Sequence, residues 1–206
     1  MRIVFISDTH GLHDELSLPA GDLIIHAGDI TDHGSKPEVE AFLSWFSALD
    51  YPHKIFIGGN HDIFLDEYPV DLLELLPSNV TYLRNNGCEI AGIKIWGSPV
   101  SPDLMDWAFG KRRSEMAAHW KYMPRQIDIL ITHTPPFGIL DRSSAHHQLG
   151  CESLLRKVKN INPKIHVFGH IHASYGTEIQ GQTVFINASN LDSYQGLINP
   201  PISRVF

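Results

Sequence analysis

Five short apolar runs along this chain each break off into polar side chains. Residues 2–7 lead into Asp8-Thr9-His10-Gly11, and residues 23–27 into Gly28-Asp29-Ile30-Thr31-Asp32-His33-Gly34. Residues 54–57 end in Gly58-Gly59-Asn60-His61-Asp62, residues 127–132 in His133, and residues 164–168 in Gly169-His170-Ile171-His172. Runs of this length, rich in β-branched and aromatic residues and bounded by glycine, predict buried strands. Between them the period changes. Ser35, with Pro37 in the first turn and Glu38 three residues on, predicts a capped helix that buries Phe42, Leu43, Trp45, Phe46 and Leu49 on one face. Another helix is predicted over residues 150–159. Strands separated by helical stretches predict βαβ units and a partly parallel sheet, in which sites form at the carboxyl ends of strands.

The middle of the chain is less regular. Residues 70–76 predict a short helix stopped by Pro77, and residues 113–122 another that ends before Pro124. Residues 80–83, 88–91 and 93–96 predict short strands joined by Asn85-Asn86-Gly87 and Gly92, a meander or hairpin signal. Residues 99–110 have no period and are a candidate loop over the site. Two last strands, near 175–179 and 183–186, meet around Gln180-Gly181.

Composition narrows the function classes. A chain of 206 residues, 43% hydrophobic and 19% charged, suits one globular domain spanning 1–206. No apolar run reaches the ~18 residues of a membrane span, and the opening apolar run is too short for a signal peptide, so a cytoplasmic protein is expected. Cys88 and Cys151 stand far apart, which gives neither a disulfide framework nor a zinc ribbon. The net charge of −7 argues against a grip on long nucleic acid, though bound cations would still allow a phosphate substrate. The oligomeric state is left open.

Thirteen histidines are in excess for this length, and they fall where the strands end. Asp8, His10, Asp29, Asn60, His133, His170 and His172 form a set of oxygen and imidazole donors without a thiolate. Such donors suit Mn²⁺, Fe or Zn²⁺. Seven are too many for one tetrahedral ion and about right for two ions sharing a carboxylate, with Asp29 as the bridge. Two metals ~3.5–4 Å apart clamp a phosphoryl group and generate hydroxide at neutral pH.

Asp8-x-His10, Gly28-Asp29, Gly58-Gly59-Asn60-His61-Asp62, Thr132-His133 and Gly169-His170-x-His172 together resemble, in order, the five blocks of the calcineurin-like metallophosphoesterases. Thr132-His133-x-Pro135-Pro136-x-Gly138-Ile139-x-Asp141, Tyr175-Gly176, Phe185-Ile186-Asn187-Ala188-Ser189, Asn199-Pro200-Pro201 and Asp106-Trp107-Ala108-Phe109 are similar to the metallophosphoesterase-domain (MPPED) subgroup. The resemblance implies a four-layer α/β/β/α sandwich, two mixed β-sheets flanked by helices. It implies two divalent ions, Mn²⁺ first and Fe or Zn²⁺ as alternatives. Asp8, His10, Asp29 and His172 would hold one ion, and Asp29, Asn60, His133 and His170 the other. A hydroxide bridging them would attack phosphorus in line.

His61 resembles the family's non-ligand catalytic histidine, and Asp32 the carboxylate that orients it in phosphoprotein phosphatases. His33 stands where those phosphatases carry a phosphate-binding arginine, a departure that weakens the case for monoesters. The expected activity is therefore hydrolysis of phosphodiesters such as cyclic nucleotides. A phosphomonoesterase or phosphoprotein phosphatase is the alternative, and a non-catalytic scaffold a remote one. Asp62 is expected to fix its loop and His26 to support the site from behind. Trp107 and Phe109 are candidates for stacking on a base or for core packing, and Lys111-Arg112-Arg113 for a phosphate contact or a helix start.

Overall fold

The computed structural model describes residues 1–206. Its strands are β1 (Arg2–Ile6), β2 (Leu23–His26), β3 (His53–Phe56), β4 (Thr81–Tyr82), β5 (Asn86–Ile90), β6 (Ile93–Ser98), β7 (Ser101–Pro102), β8 (Gly110–Lys111), β9 (Ile129–Thr132), β10 (Ile165–Phe168), β11 (Gly176–Gln180), β12 (Thr183–Asn187) and β13 (Ile202–Val205). Its helices are α1 (Lys36–Ala48), α2 (Ile63–Glu67), α3 (Pro69–Leu75), α4 (Met116–Trp120) and α5 (Glu152–Ile161).

One sheet runs β13-β1-β2-β3-β4 and the other β11-β12-β10-β9-β6-β5, with β7 and β8 as a separate pair. In the first sheet β1 to β4 are parallel and β13 is antiparallel to β1. In the second, β12, β10, β9 and β6 are parallel and the two outer strands antiparallel. Both are mixed sheets.

Alternation along each strand explains the layers, because successive side chains leave opposite faces of a strand. Ile3, Phe5, Leu23, Ile25, Ile55 and Ile57 share a buried cluster with Ile95, Ile129, Ile131, Val167 and Ile186, which is the layer between the sheets. Val4, Ile6, Ile24 and Phe56 point the other way and join Phe42, Leu43 and Phe46 of α1. Trp96, Leu130 and Phe168, also turned outward, belong to the same cluster as Trp120 of α4 and Leu154 and Val158 of α5. The result is the expected α/β/β/α sandwich.

The middle differs from the expectation. Residues 80–96 form no meander, because β4 pairs with β3 in the first sheet while β5 and β6 form a hairpin in the second. The chain crosses between sheets at residues 83–85, and Asn86-Gly87 lies inside β5. Strand propensity cannot report which sheet supplies the partner edge. The edge strand β13 and the short helix α2, which begins directly after Asp62, were not among the expected elements. Residues 113–122 give a 3-10 turn and only five residues of α-helix. No helix is long and apolar enough to cross a membrane.

Candidate metal centre

All seven candidate ligands follow the carboxyl ends of β1, β2, β3, β9 and β10, and the fold brings them together. Ligand-capable atoms of Asp8, His10 and His172 lie within 4.8 Å of one another, as do those of Asp29, His133 and His170. Asp29 joins the two groups: its Oδ2 is 3.7 Å from His10 Nε2 and 3.2 Å from His133 Nε2. Asn60 Oδ1 is 2.9 Å from His133 Nε2, and His172 Nε2 is 3.3 Å from Asp8 Oδ1. Donors that share an ion at bonds of ~2.0–2.2 Å sit about 3 Å apart, so these separations suit common coordination shells.

The local backbone is bent to make this possible. Asp8, His10, Asp29 and His170 have φ of 52°, 43°, 54° and 69°, the left-handed region. Each such non-glycine residue costs on the order of 1–2 kcal/mol, and the strain persists only where the surroundings over-determine it. Here they do. Asp8 N–H donates to Gly28 O, His10 N–H to Asp29 O, and His170 N–H to the Asp8 carboxylate at 2.9 Å. Two glycines give the carboxylates room: a methyl at Gly59 would overlap the Asp29 carboxylate, and one at Gly169 the Asp8 carboxylate.

A second layer holds the rings. His133 Nδ1 donates to Ala27 O at 3.0 Å and His172 Nδ1 to Asp192 O at 3.2 Å, which turns each Nε2 toward the carboxylates. Such outer bonds fix ring orientation and tautomer at metal sites. Ser189 Oγ donates to Asp8 Oδ2 at 2.9 Å. Asp62 accepts from Gly59 N, Thr31 N and Thr31 Oγ1, tying the glycine turn to the Asp29 loop. Its carboxyl is pushed up to about 7 by burial and by the Asp29 charge. His26 accepts from Gly28 N at Nδ1, so its Nε2 donates to Thr9 Oγ1, and burial pushes the ring down to about 3. It supports the first two loops as a neutral ring.

The electrostatics are those of a proton-filled cation site. Burial alone would raise the Asp8 carboxyl, but His172 holds it well below the usual range, and His133 does the same for Asp29. Against its own burial, His133 is raised to about 9 by Asp29. Burial instead lowers His10, and pushes His170 down to about 4. His10 Nε2 is buried without any hydrogen-bond partner. Two buried carboxylates, an orphaned imidazole nitrogen and no lysine or arginine in the set together fit divalent cations.

His61 stands at the edge of this centre. Its ring lies 4.4 Å from that of His10 and 4.5 Å from that of Trp107. Asp32 orients it differently from the expectation: its backbone carbonyl accepts from His61 Nδ1 at 2.8 Å. The Asp32 carboxylate sits 3.7 Å from His10 Nδ1 and 3.5 Å from His33 Nδ1, although His10, Asp32 and His61 remain within 4.8 Å. The His33 side chain is 84% exposed, with Asp32 as its ion-pair partner. Trp107 and Phe109 separate cleanly: Phe109 is buried in the core beneath Arg84, whereas Trp107 is 44% exposed beside His61. Ala108 N–H donates to Asn60 O and Phe109 N–H to Asp66, so residues 99–110 lean on the segment on either side of His61. Arg113 pairs with Asp103 and Glu152, which makes it a strut for that loop.

The family profile described as calcineurin-like phosphoesterase matches residues 1–174. The chain belongs to the calcineurin-like phosphoesterases. It is 37% identical to human metallophosphoesterase domain-containing protein 1 over 226 residues, which span 98% of this chain and 69% of that protein. A UPF0046 protein of Caenorhabditis elegans is 38% identical over 214 residues, 93% of this chain and 76% of that one. Phosphopantetheinyl hydrolase from Mycobacterium tuberculosis shares the fold, with a TM-score of 0.60 at 15% identity over 91% of this chain and 88% of that structure. For this calcineurin-like phosphoesterase, the family and the two donor groups support a hydrolase that uses divalent metal.

Residue-by-residue reading missed the bracing of the centre. Asn187 binds Ile171 O and Leu140 O, Asn190 binds Ser7 N and Asn199 O, and Asn199 binds Ser189 O. The segments 185–189 and 199–201, legible only as a subgroup resemblance, thus form the wall behind Asp8 and His172.

Proposed function

We propose that this protein is a dinuclear metal-dependent phosphodiesterase acting on small phosphodiesters of the cyclic-nucleotide kind. The observation that carries the reading is Asp29, whose carboxylate lies between His10 on one side and His133 on the other. Asp8, His10, Asp29 and His172 would hold one ion, and Asp29, Asn60, His133 and His170 the second. Bound there, two divalent ions supply Lewis acidity at phosphoryl oxygens and a nucleophile from water at neutral pH.

The chain's own residues supply the rest. His61, with Nδ1–H committed to the Asp32 carbonyl, would act as an imidazolium, giving its Nε2 proton to the departing oxygen as the phosphorus–oxygen bond breaks and returning to the neutral ring that solvent reprotonates. Trp107 borders His61 and offers a partly exposed aromatic face to the leaving alcohol. No guanidinium stands among the ligands or beside His61. A diester carries one charge on its phosphate and needs less grip than a monoester dianion, which favours diesters.

The test compares bis(p-nitrophenyl) phosphate with p-nitrophenyl phosphate in the presence of Mn²⁺. The diester is expected to turn over faster, with Asp29→Ala reducing turnover to background, and His61→Ala should lower turnover of a 2′,3′-cyclic nucleotide, whose alkoxide leaving group needs the proton, at least a hundredfold with metal still bound. Preference for the monoester would replace the diesterase by a phosphatase. Unchanged turnover in His61→Ala would remove that residue from the chemistry.

A further inference from the structure

A cavity of about 590 Å³ opens beside His172, outside the ligand groups described above. That volume lies in the range of small-molecule sites, ~300–1,000 Å³. Its walls come from the 142–146 loop, the turn at His172–Ser174 and the 192–199 loop. Two features fix it relative to the metal centre. His172, which reaches Asp8 with Nε2, donates from Nδ1 to the Asp192 carbonyl, so one ring belongs to both sites. Ser174 grips the Arg142 backbone twice, its Oγ accepting from Arg142 N at 3.0 Å and donating to Arg142 O at 2.8 Å.

The Arg142 guanidinium is therefore anchored at its base and has no partner at its tip. It makes no ion pair and no side-chain hydrogen bond, in contrast to Arg84 and Arg113, which are each tied to carboxylates. The one carboxylate in the cavity wall, Asp192, has Oδ1 occupied by the N–H groups of Tyr194 and Gly196. Tyr175 and Tyr194 add aromatic surface, with the Tyr175 hydroxyl turned away to Pro200 O. An unpaired guanidinium in a cavity wall that also carries tyrosines suits a phosphate or carboxylate on an aromatic or sugar body.

We infer that this cavity receives the part of the substrate beyond the scissile phosphorus, and that Arg142 selects substrates bearing a second anionic group there. The chemical class is a nucleotide-like phosphodiester with a further phosphate, as in a 2′,3′-cyclic nucleotide that also bears a 5′-phosphate, one of whose hydrolysis products is a nucleoside 3′,5′-bisphosphate. The inference rests on the phosphoesterase reading for which group sits at the metals, but the cavity's preference can be measured without turnover.

The experiment measures equilibrium binding to Mn²⁺-loaded protein by calorimetry, with adenosine 3′,5′-bisphosphate against adenosine 5′-monophosphate. Wild type is expected to bind the bisphosphate at least tenfold tighter. Arg142→Ala should abolish that difference, and Arg142→Lys should restore part of it. Arg125→Ala, which lies at a separate cavity with Lys157 and Asn160, should keep the preference intact. Equal affinities in wild type, or equal weakening of both ligands by Arg142→Ala, would overturn the inference. If wild type shows the preference but turns over no phosphodiester, the cavity assignment stands and the phosphodiesterase reading falls.

Discussion

Ser189 shows how much of this centre depends on side chains that would touch no metal ion themselves. Its hydroxyl and the His170 N–H, which follow neighbouring strands of the second sheet, both donate to the carboxylate of Asp8 at the end of the first. A carboxylate held by two donors keeps its orientation when the ion is absent. Ser189→Ala should cost about 1 kcal/mol of stability, read by denaturant unfolding. It should also weaken metal binding by roughly 10–100-fold, the usual effect of losing an outer-shell partner, read by calorimetric titration. A change in stability with no change in metal affinity would reduce Ser189 to a packing role. Its place in Asn187-Ala188-Ser189 gives no hint of this in the sequence, because its partner is 181 residues away.

At the scale of elements, α1 connects fold to site through its first turn. Glu38 accepts from Ser35 N–H as the expected cap, but its other oxygen accepts from the N–H groups of Asp32 and His33. The cap therefore shapes the loop whose carbonyl holds His61. Glu38→Ala should lower stability by about 1 kcal/mol, as loss of a cap does. It should also lower kcat while leaving metal content unchanged, since His61 loses its orientation and the ligands do not. Steady-state kinetics beside metal analysis separates these effects. The Ser35/Glu38 spacing made the helix start legible. That the same carboxylate reaches back to Asp32 became visible only once the loop had a conformation.

The whole molecule sets the pH dependence, because the two buried groups hold each other's charge across the sheets. His133 is raised to about 9 against its own burial by Asp29, with Asp8 also near, and His172 is raised by Asp8. A histidine raised on folding contributes stability that is complete below its unfolded value of ~6.5 and is lost as pH rises through its folded value. Metal-free protein should therefore lose stability between about pH 6.5 and pH 9. In that window the depressed carboxylates contribute constantly, being ionised folded and unfolded. A metal held by His133 as proposed would have to displace its proton, so affinity should rise with pH up to about 9. These two trends offset each other in the loaded protein, whose melting temperature should stay level. Melting curves with and without chelator should thus diverge with rising pH. Parallel curves would show that His133 carries no proton in the metal-free chain.

The sequence by itself determined the strands that end in metal-capable side chains, the α1 cap and the seven candidate ligands. These are local signals: a short apolar run, a glycine turn and the residues just after it. The same locality explains why the five blocks identified the family. Only the tertiary structure decided that β4 and β5 lie in different sheets, that Asp32 serves His61 through its backbone, and that Trp107 faces the site while Phe109 does not. Each of these depends on partners far along the chain or on a peptide's orientation, and neither leaves a periodic trace. The left-handed backbone at Asp8, His10, Asp29 and His170 belongs to the same class. Asp and His enter that region more readily than most residues, but nothing periodic in the sequence marks where they do so, and here the hydrogen bonds of the packed loops hold them in it.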